Sequence, residues 1–270
     1  MGGLVSMPKI FGFYEMPSRV KIFIIGIVAL VVLASSVVYV QAYHRVKPIY
    51  EVPTDKKIVA LTFDISWGNK TPMPVIEILK ENNVKATFFL SGPWVKQYPE
   101  IAQRIKKDGH EIGSHGYRHI NLSNLSKTEV KEEVMKAHKN IKEVTGVDAK
   151  LIRTPNGDYN EQVIEGIHEC NYEAIQWGTD SLDWMNPGIN TIIDRVSKRV
   201  HPGDIILMHA SDTCKQTHEA LPAVIKNLKQ QGYEFVTVSE LLKEMEKDKG
   251  KDTDTDKDKR KDKDKGKSKN

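Results

Sequence analysis

The sequence predicts an α/β fold built on a parallel β-sheet. Between residues 56 and 244, short apolar runs rich in β-branched and aromatic residues alternate with longer segments at helical spacing, the pattern of repeated βα units. The chain of 270 residues is 39% hydrophobic, which is enough for one main folded domain. Right-handed crossovers between parallel strands leave two architectures open, a doubly wound sheet and an incomplete (β/α) barrel.

Seven strands and six helices are predicted in alternation. The strands are 58–64, 86–90, 111–115, 151–153, 174–178, 205–209 and 235–238. The helices are about 72–83, 98–108, 127–144, 160–170, 189–200 and 217–231. Ser126 and Glu129 form a capping-box pattern that fixes the start of the third helix. Gly109, Gly146 and Gly232 stand where helices should stop.

Titratable side chains favour the barrel. Five of them lie at or just beyond the carboxyl ends of five predicted strands: Asp64, His115, Arg153, Asp180 and His209. In a barrel these ends converge on one face, where active sites are built. The sequence therefore predicts a distorted, incomplete (β/α) barrel with a functional site at that face. Structural roles are assigned to the histidines that fall in helices, at strand starts or near the N-terminus, namely His44, His110, His138, His168 and His201.

One histidine pair has metal-ligand spacing. His115 and His119 are four residues apart at a strand end, so both imidazoles can reach one borderline cation such as zinc. Gly116 stands where the zincin motif has its glutamate, which excludes that motif. The pair predicts a divalent-metal site, and a purely structural role is the alternative.

The N-terminal region has the composition of a membrane segment. Residues 22–40 contain no charged side chain, and a helix of this length crosses a hydrocarbon core of about 30 Å. Lys9, Arg19 and Lys21 precede it, so the positive-inside rule predicts that the chain after it lies outside the cytoplasm. We expect a cytoplasmic region at 1–21, a transmembrane signal-anchor at 22–42 and a linker at 43–55. The alternatives are cleavage after Ala42, which would give a secreted protein, and a buried core helix.

The charge distribution argues against a nucleic-acid partner. The net charge is +4, but residues 50–245 carry 24 basic and 27 acidic side chains, so the positive excess lies outside the predicted domain. Residues 245–270 are rich in Lys and Asp and are expected to be disordered. Cys170 and Cys214 fall at opposite ends of the predicted barrel, so we expect two free thiols.

Five short motifs occur in a recognisable order: Thr62-Phe63-Asp64, His115 with His119, Arg153-Thr154-Pro155, Asp180 to Trp184, and Leu207-Met208-His209. This order resembles the polysaccharide deacetylase family, also called the NodB homology domain or carbohydrate esterase family 4. The resemblance covers about 56–244 and is greatest to the PdaB-type sporulation deacetylases. It implies a NodB-type barrel that removes N-acetyl groups from chitin, chitooligosaccharides or peptidoglycan with a divalent metal, commonly zinc.

The resemblance also implies roles for individual residues. Asp64 matches the catalytic base and His209 the general acid that protonates the departing amine. His115 and His119 match the two histidine ligands of the metal. Amide hydrolysis needs an activated water, an electrophile and a proton for the leaving group, and these groups supply them.

The remaining implied roles are positioning and substrate binding. Arg153 would hold Asp64 in place and Asp183 would orient His209. Trp184 would line the acetyl pocket, and Pro155 and Leu207 belong to the same substrate-binding motifs.

Departures from the family pattern leave two functional hypotheses. Ile65 stands where the family has a second aspartate that binds metal, and Gly116 and Asn156 also differ from the usual residues. Ile65 is expected to lie beside the two histidines rather than in the core, and metal to bind weakly. One hypothesis is a membrane-anchored deacetylase of GlcNAc- or MurNAc-containing polymers that acts in cell wall or spore cortex remodelling. The other is a weak or inactive domain that binds glycan or recruits partners.

Overall fold

The computed structural model describes residues 17–20, 22–30 and 47–245. The chain divides into two compact units, Met1–Val46 and Lys47–Asn270. In the first unit residues 18–20 and 22–30 are helical, and no helix in the described ranges is long and apolar enough to span a membrane. The rest of the predicted membrane segment, 31–42, and the predicted tail from residue 246 onward lie outside the described residues.

The second unit is built on one sheet of eight strands. The strands are β1 (Ile58–Ile65), β2 (Thr87–Leu90), β3 (Glu111–Ser114), β4 (Leu151–Ile152), β5 (Glu173–Ala174), β6 (Thr179–Asp180), β7 (Ile205–His209) and β8 (Glu234–Val236). All the paired strands are parallel, in the order β5-β4-β3-β2-β1-β7-β6, and β8 pairs with the start of β1. Parallel pairing throughout confirms the predicted βα repeat.

The positions of the two edge strands show that the sheet curls. β5 and β6 lie at opposite ends of the strand order, which in a flat sheet would separate them by about 29 Å at about 4.8 Å per strand. Ala174 and Thr179 are five residues apart, a span of at most about 18 Å. The sheet must therefore bend into an incomplete barrel, which excludes the doubly wound alternative. The single strand predicted over 174–178 is wrong, because its two ends belong to opposite edges of the opening.

The residues before β1 bridge this opening. Ile49 pairs with Ile175 beside β5, and Glu51 pairs with Asp204 at the start of β7. The backbone N–H of Val52 donates to the carbonyl of Gly203, and Val52 is fully buried. The segment therefore contacts the carboxyl end of β5 on one side of the opening and the amino-terminal end of β7 on the other.

Besides a helical segment at 238–245, seven helices surround the sheet. They are α1 (Pro72–Glu81), α2 (Gly92–Gln97), α3 (Pro99–Lys107), α4 (Lys127–Thr145), α5 (Glu161–Glu169), α6 (Ile189–Arg199) and α7 (Thr217–Gln230). The predicted capping box is confirmed at α4, where Ser126 accepts from the backbone of Glu129, and the helix ends at Gly146 with φ +69°. The short helix α2 was not predicted, and it begins at a glycine followed by proline.

Strand alternation divides the apolar side chains into two layers. Leu61, Phe63 and Ile65 of β1 belong to the large cluster that also contains the apolar faces of the helices. Ala60 of β1 belongs to a smaller cluster with Phe89 and others inside the barrel. Because successive side chains on a strand point to opposite faces, Thr62 and Asp64 share the inner face with Ala60.

Candidate active site

Five strand ends bring the predicted polar residues to one face. Asp64 lies near the end of β1, Asp180 ends β6 and His209 ends β7, while His115 and Arg153 directly follow β3 and β4. Asp64 and His209 are register partners on neighbouring parallel strands, so their side chains leave the sheet on the same side about one strand spacing apart. The structure thus confirms that these residues converge at the carboxyl face.

Arg153 fixes Asp64 through a buried ion pair. Arg153 Nη1 donates to Asp64 Oδ1 at 2.9 Å and to Thr62 Oγ1 at 2.8 Å, while Nη2 donates to the Gln176 carbonyl at 2.9 Å. The guanidinium lies over the Phe89 ring at 4.4 Å and is fully buried. These contacts occupy one carboxylate oxygen and leave Asp64 Oδ2 without a strong partner.

The electrostatics keep Asp64 ionised. Burial alone would raise the pKa of this carboxyl, but the charge of Arg153, followed by His115 and His209, outweighs burial and lowers the pKa below its ordinary value. Asp64 Oδ2 lies 3.7 Å from His115 Nε2. A buried, ionised carboxylate with one free oxygen can accept a proton from a nearby water.

The two predicted metal ligands lie together. The His115 and His119 ring centroids are 5.2 Å apart, and His115 Nδ1 donates to the Arg153 carbonyl at 2.9 Å. That bond leaves His115 Nε2 with its lone pair, the arrangement usual for a zinc-binding imidazole. Burial lowers the pKa of His115 to about 4 and also lowers the pKa of His119, so both rings are neutral, as metal ligands must be. The pair therefore fits two positions of a divalent cation's ligand shell.

His209 has the hydrogen bonds of a general acid. Its Nδ1 donates to Asp183 Oδ1 at 2.8 Å, and its backbone N–H donates to Asp183 Oδ2 at 2.8 Å. Thr217 Oγ1 donates to the same oxygen at 2.6 Å, so the fully buried Asp183 is held from three directions. Burial alone would lower the pKa of His209, but the charge and hydrogen bond of Asp183 outweigh it and raise the pKa.

The expected position of Ile65 is wrong. The side chain is fully buried and belongs to the large core cluster, together with Phe63 and its register partner Leu90. The reason is that β1 continues one residue past Asp64, so residue 65 still follows the strand alternation and points to the helix-facing side. The residue at this position therefore packs in the core and offers no ligand atom.

The predicted substrate-binding residues differ in exposure. Pro155 is buried after β4, and Leu207 is nearly buried on the face of β7 that also carries His209. Trp184 is 50% exposed. Sequence reasoning missed Trp67, which is 49% exposed and lies 4.6 Å from the His119 ring. The indole of Trp67 therefore lies beside one of the two candidate metal ligands and is open to solvent.

Cys214 is a second feature of this face that no sequence spacing revealed. Its side chain is buried, and burial raises the pKa of the thiol to about 12. Each of Asp183, His209 and Cys214 offers one ligand atom, and these atoms lie within 4.8 Å of one another. Cys170 is also a free thiol, so the prediction of two free cysteines is confirmed.

Several supporting contacts could have been predicted only in part. Thr62 lies two residues before Asp64 on the same strand face, a signal that alternation provides. Thr217 and Gln176 reach Asp183 and Arg153 from distant parts of the chain, and no local pattern identifies them.

Comparison with known proteins agrees with this geometry. The sequence profile described as polysaccharide deacetylase matches residues 51–175. A peptidoglycan-N-acetylglucosamine deacetylase of Bacillus cereus is 36% identical, over 72% of this chain and 92% of the relative. The Bacillus subtilis protein YlxY is 37% identical over 73% of this chain, and the match spans 61% of YlxY's length.

A similar solved structure belongs to a protein described as a pseudoenzyme. It is a carbohydrate esterase family 4 pseudoenzyme from Bacillus anthracis, 36% identical, with a TM-score of 0.69 over 73% of this chain and 69% of that one. A mutant of that protein with restored enzymatic activity has also been solved, with a TM-score of 0.69 at 37% identity over 73% and 71% of the two chains. By its sequence, its barrel and its relatives, this chain belongs to the polysaccharide deacetylase family, which contains hydrolases of amide bonds and also pseudoenzymes.

Proposed function

We propose that this chain is a peptidoglycan N-deacetylase that releases acetate from the N-acetylated sugars of the glycan strands. The observation that carries the proposal is the register of β1 and β7, which places a buried base, Asp64, beside an Asp183-bound acid, His209. A domain that only binds glycan needs neither arrangement. The B. cereus relative, named for this activity on N-acetylglucosamine, supports the choice of substrate.

The geometry supports a division of the chemistry between these residues. Asp64 Oδ2 accepts a proton from the attacking water, while Arg153 holds Oδ1 and keeps the carboxylate ionised. His209 Nε2 donates a proton to the amide nitrogen as the C–N bond breaks, and Asp183 stabilises the imidazolium. The products are acetate and a glucosamine amine. His115 and His119 would hold a divalent cation, zinc by its ligand chemistry, and the cation would supply Lewis-acid chemistry at the site.

We place the deacetylase domain outside the cytoplasmic membrane, in wall or spore cortex remodelling during sporulation. The uncharged run at 22–40 and the lysines and arginine before it support this location. Protease added to intact protoplasts is expected to digest residues 50–245, and protection of that region would contradict the location.

A catalytically inactive glycan-binding domain is the second candidate. The observation in its favour is Ile65, which packs in the core and leaves the histidine pair without a third ligand from that position. The B. anthracis pseudoenzyme shows that loss of activity occurs within the family.

Acetate release from purified peptidoglycan separates the two candidates. The full-length chain with added zinc is expected to release acetate, and Asp64→Asn and His209→Ala to reduce the rate by about 10² to 10⁴, the usual contribution of a general base or acid. Asp194→Asn is the matched control, because Asp194 makes only an exposed ion pair with Lys198. Wild-type rates in either site variant, with the folded state verified by circular dichroism, would contradict the assigned roles.

A further inference from the structure

A second set of metal-ligating side chains lies beside the candidate acid. Within residues 17–20, 22–30 and 47–245, Asp183, His209 and Cys214 are the one group whose three ligand atoms lie within 4.8 Å of each other. A carboxylate, an imidazole and a thiolate are ligands that zinc takes in proteins. None of the three belongs to the His115 and His119 pair, so this cluster is distinct from the metal position that the family implies.

Hydrogen bonds from neighbouring residues hold the cluster in place. The Asn186 side chain donates to the Thr213 carbonyl at 2.9 Å and accepts from the Lys215 backbone N–H at 2.8 Å. It therefore fixes the chain on both sides of Cys214. Asp183 is itself held by His209 and Thr217. The Cys214 sulfur has only a weak contact with Thr213 Oγ1 at 3.6 Å.

We propose that Asp183, His209 and Cys214 form a second, inhibitory site for zinc or another thiophilic divalent cation. The cation takes the position of the proton that His209 Nδ1 shares with Asp183 Oδ1. The Cys214 thiol loses its proton to solvent and binds as the thiolate. One carboxylate and one thiolate then balance the two positive charges. Neutral His209 moves its Nδ1 proton to Nε2, so one proton is released for each ion bound, and the imidazolium form would release two.

Only a small rearrangement is required. His209 Nδ1 and Asp183 Oδ1 are 2.8 Å apart, whereas two ligand atoms at about 2.0–2.2 Å from a tetrahedral zinc are about 3.4 Å apart. His209 Nδ1 and Asp183 Oδ1 therefore need to separate by about 0.6 Å, and the Cys214 sulfur, which lies within 4.8 Å of both ligand atoms, needs to approach by up to about 1 Å. Water completes the fourth position, and the His209 side chain is 20% exposed.

Occupation of this site blocks proton donation. A metal on Nδ1 leaves His209 with an Nε2–H that is a far weaker acid than an imidazolium, so the leaving amine receives no proton. This inhibitory consequence rests on the proposed function, whereas the binding of the metal does not.

Cadmium binding tests the site without any activity measurement. Titration of the full-length chain with cadmium is expected to produce the near-ultraviolet charge-transfer band of a cadmium–thiolate bond. Cys214→Ser should lose the band, and the matched control Cys170→Ser should keep it, because Cys170 lies half-buried at the end of α5. Cys214→Ala provides a second variant, and thermal unfolding checks that each variant is folded. A wild type without the band, or a band that persists in both Cys214 variants, would overturn the proposal.

The inhibition is tested by the zinc dependence of acetate release. We expect the wild-type rate to rise and then to fall by about 10²-fold or more as the second site fills, the contribution of a general acid. In Cys214→Ser the rate at high zinc should stay at that variant's own maximum. An equal fall in the variant would refute the inhibitory role. A chain that shows the cadmium band but releases no acetate would contradict the proposed function and support the metal site.

Discussion

Replacement of Ile65 by aspartate tests the placement of this residue most sharply. The family carries a metal-binding aspartate at this position, so Ile65→Asp is the obvious repair. In the structure the side chain is fully buried in the large core cluster. We therefore expect Ile65→Asp to destabilise the protein rather than to tighten zinc binding.

The free-energy cost has two parts. Loss of the buried isoleucine side chain costs about 2–5 kcal/mol, as for large-to-small core substitutions. The aspartate carboxyl must also stay protonated in the core. Because pH 7 lies about 3 units above its unfolded-state pKa of about 3.9, and each unit costs about 1.4 kcal/mol, protonation adds about 4 kcal/mol to the cost. The total is of the same size as the whole stability of a typical domain, about 5–15 kcal/mol.

Two control variants separate these parts. Ile65→Ala carries the cavity cost alone, and Ile65→Asn adds a polar group of the same shape without a charge. Burial raises the folded-state pKa of an aspartate above its unfolded-state value. The neutral carboxyl therefore costs no protonation free energy below the unfolded-state pKa, and the stability of the variant falls as the pH rises from there toward the folded-state pKa. The difference in free energy of unfolding between Ile65→Asp and Ile65→Asn should be near zero at pH 4 and about 4 kcal/mol at pH 7.

Urea denaturation between pH 4 and pH 7, with and without zinc, provides the measurement. Equal stability of Ile65→Asp and Ile65→Asn at pH 7, together with tighter zinc binding by calorimetry, would refute the reasoning. That result would mean that residue 65 faces the metal and not the core.

Three further predictions concern the acid, the base and the exposed side chain of Trp67. Asp183→Asn removes the charge that raises the pKa of His209, so the fall in acetate release at alkaline pH should move to lower pH; an unchanged alkaline limb would argue against His209 as the acid. Asp64→Asn leaves the buried guanidinium of Arg153 without its counter-charge, so the free energy of unfolding should drop by about 3–5 kcal/mol, and a drop below about 1 kcal/mol would contradict a strong pair. Trp67→Ala should raise KM for chitooligosaccharides more than it lowers kcat, with Trp67→Phe restoring KM, because the exposed indole provides an apolar face beside His119; an effect confined to kcat would exclude a binding role.

Sequence patterns predicted the strand ends because polarity and position coincide there. Asp64, His115, Arg153 and His209 each stand at the end of an apolar run, and parallel strands bring such ends together. The assignment of these side chains to one face therefore needed no tertiary information beyond the fold class.

The wrong predictions concern the exact ends of strands, which the sequence pattern does not define to the residue. The predicted strand ended at Asp64, so Ile65 was not expected to follow the strand alternation. The observed β1 includes Ile65, and the alternation places its side chain in the core. Joining 174–178 into one strand concealed the opening of the barrel, because Ala174 and Thr179 lie at opposite edges of the sheet. The proximity of Cys214 to His209 had no sequence signal, since it depends on how the loop after β7 folds against Asn186.

The most direct test of the central claim is the chemical state of the glycan after incubation with the full-length chain and zinc. Muropeptides released from treated peptidoglycan are examined by mass spectrometry for sugars that have lost one acetyl group, with Asp64→Asn as the paired sample. We predict deacetylated muropeptides with the wild type and almost none with the variant. Peptidoglycan that binds the protein in a sedimentation assay but keeps every acetyl group would contradict the account and identify a glycan-binding domain.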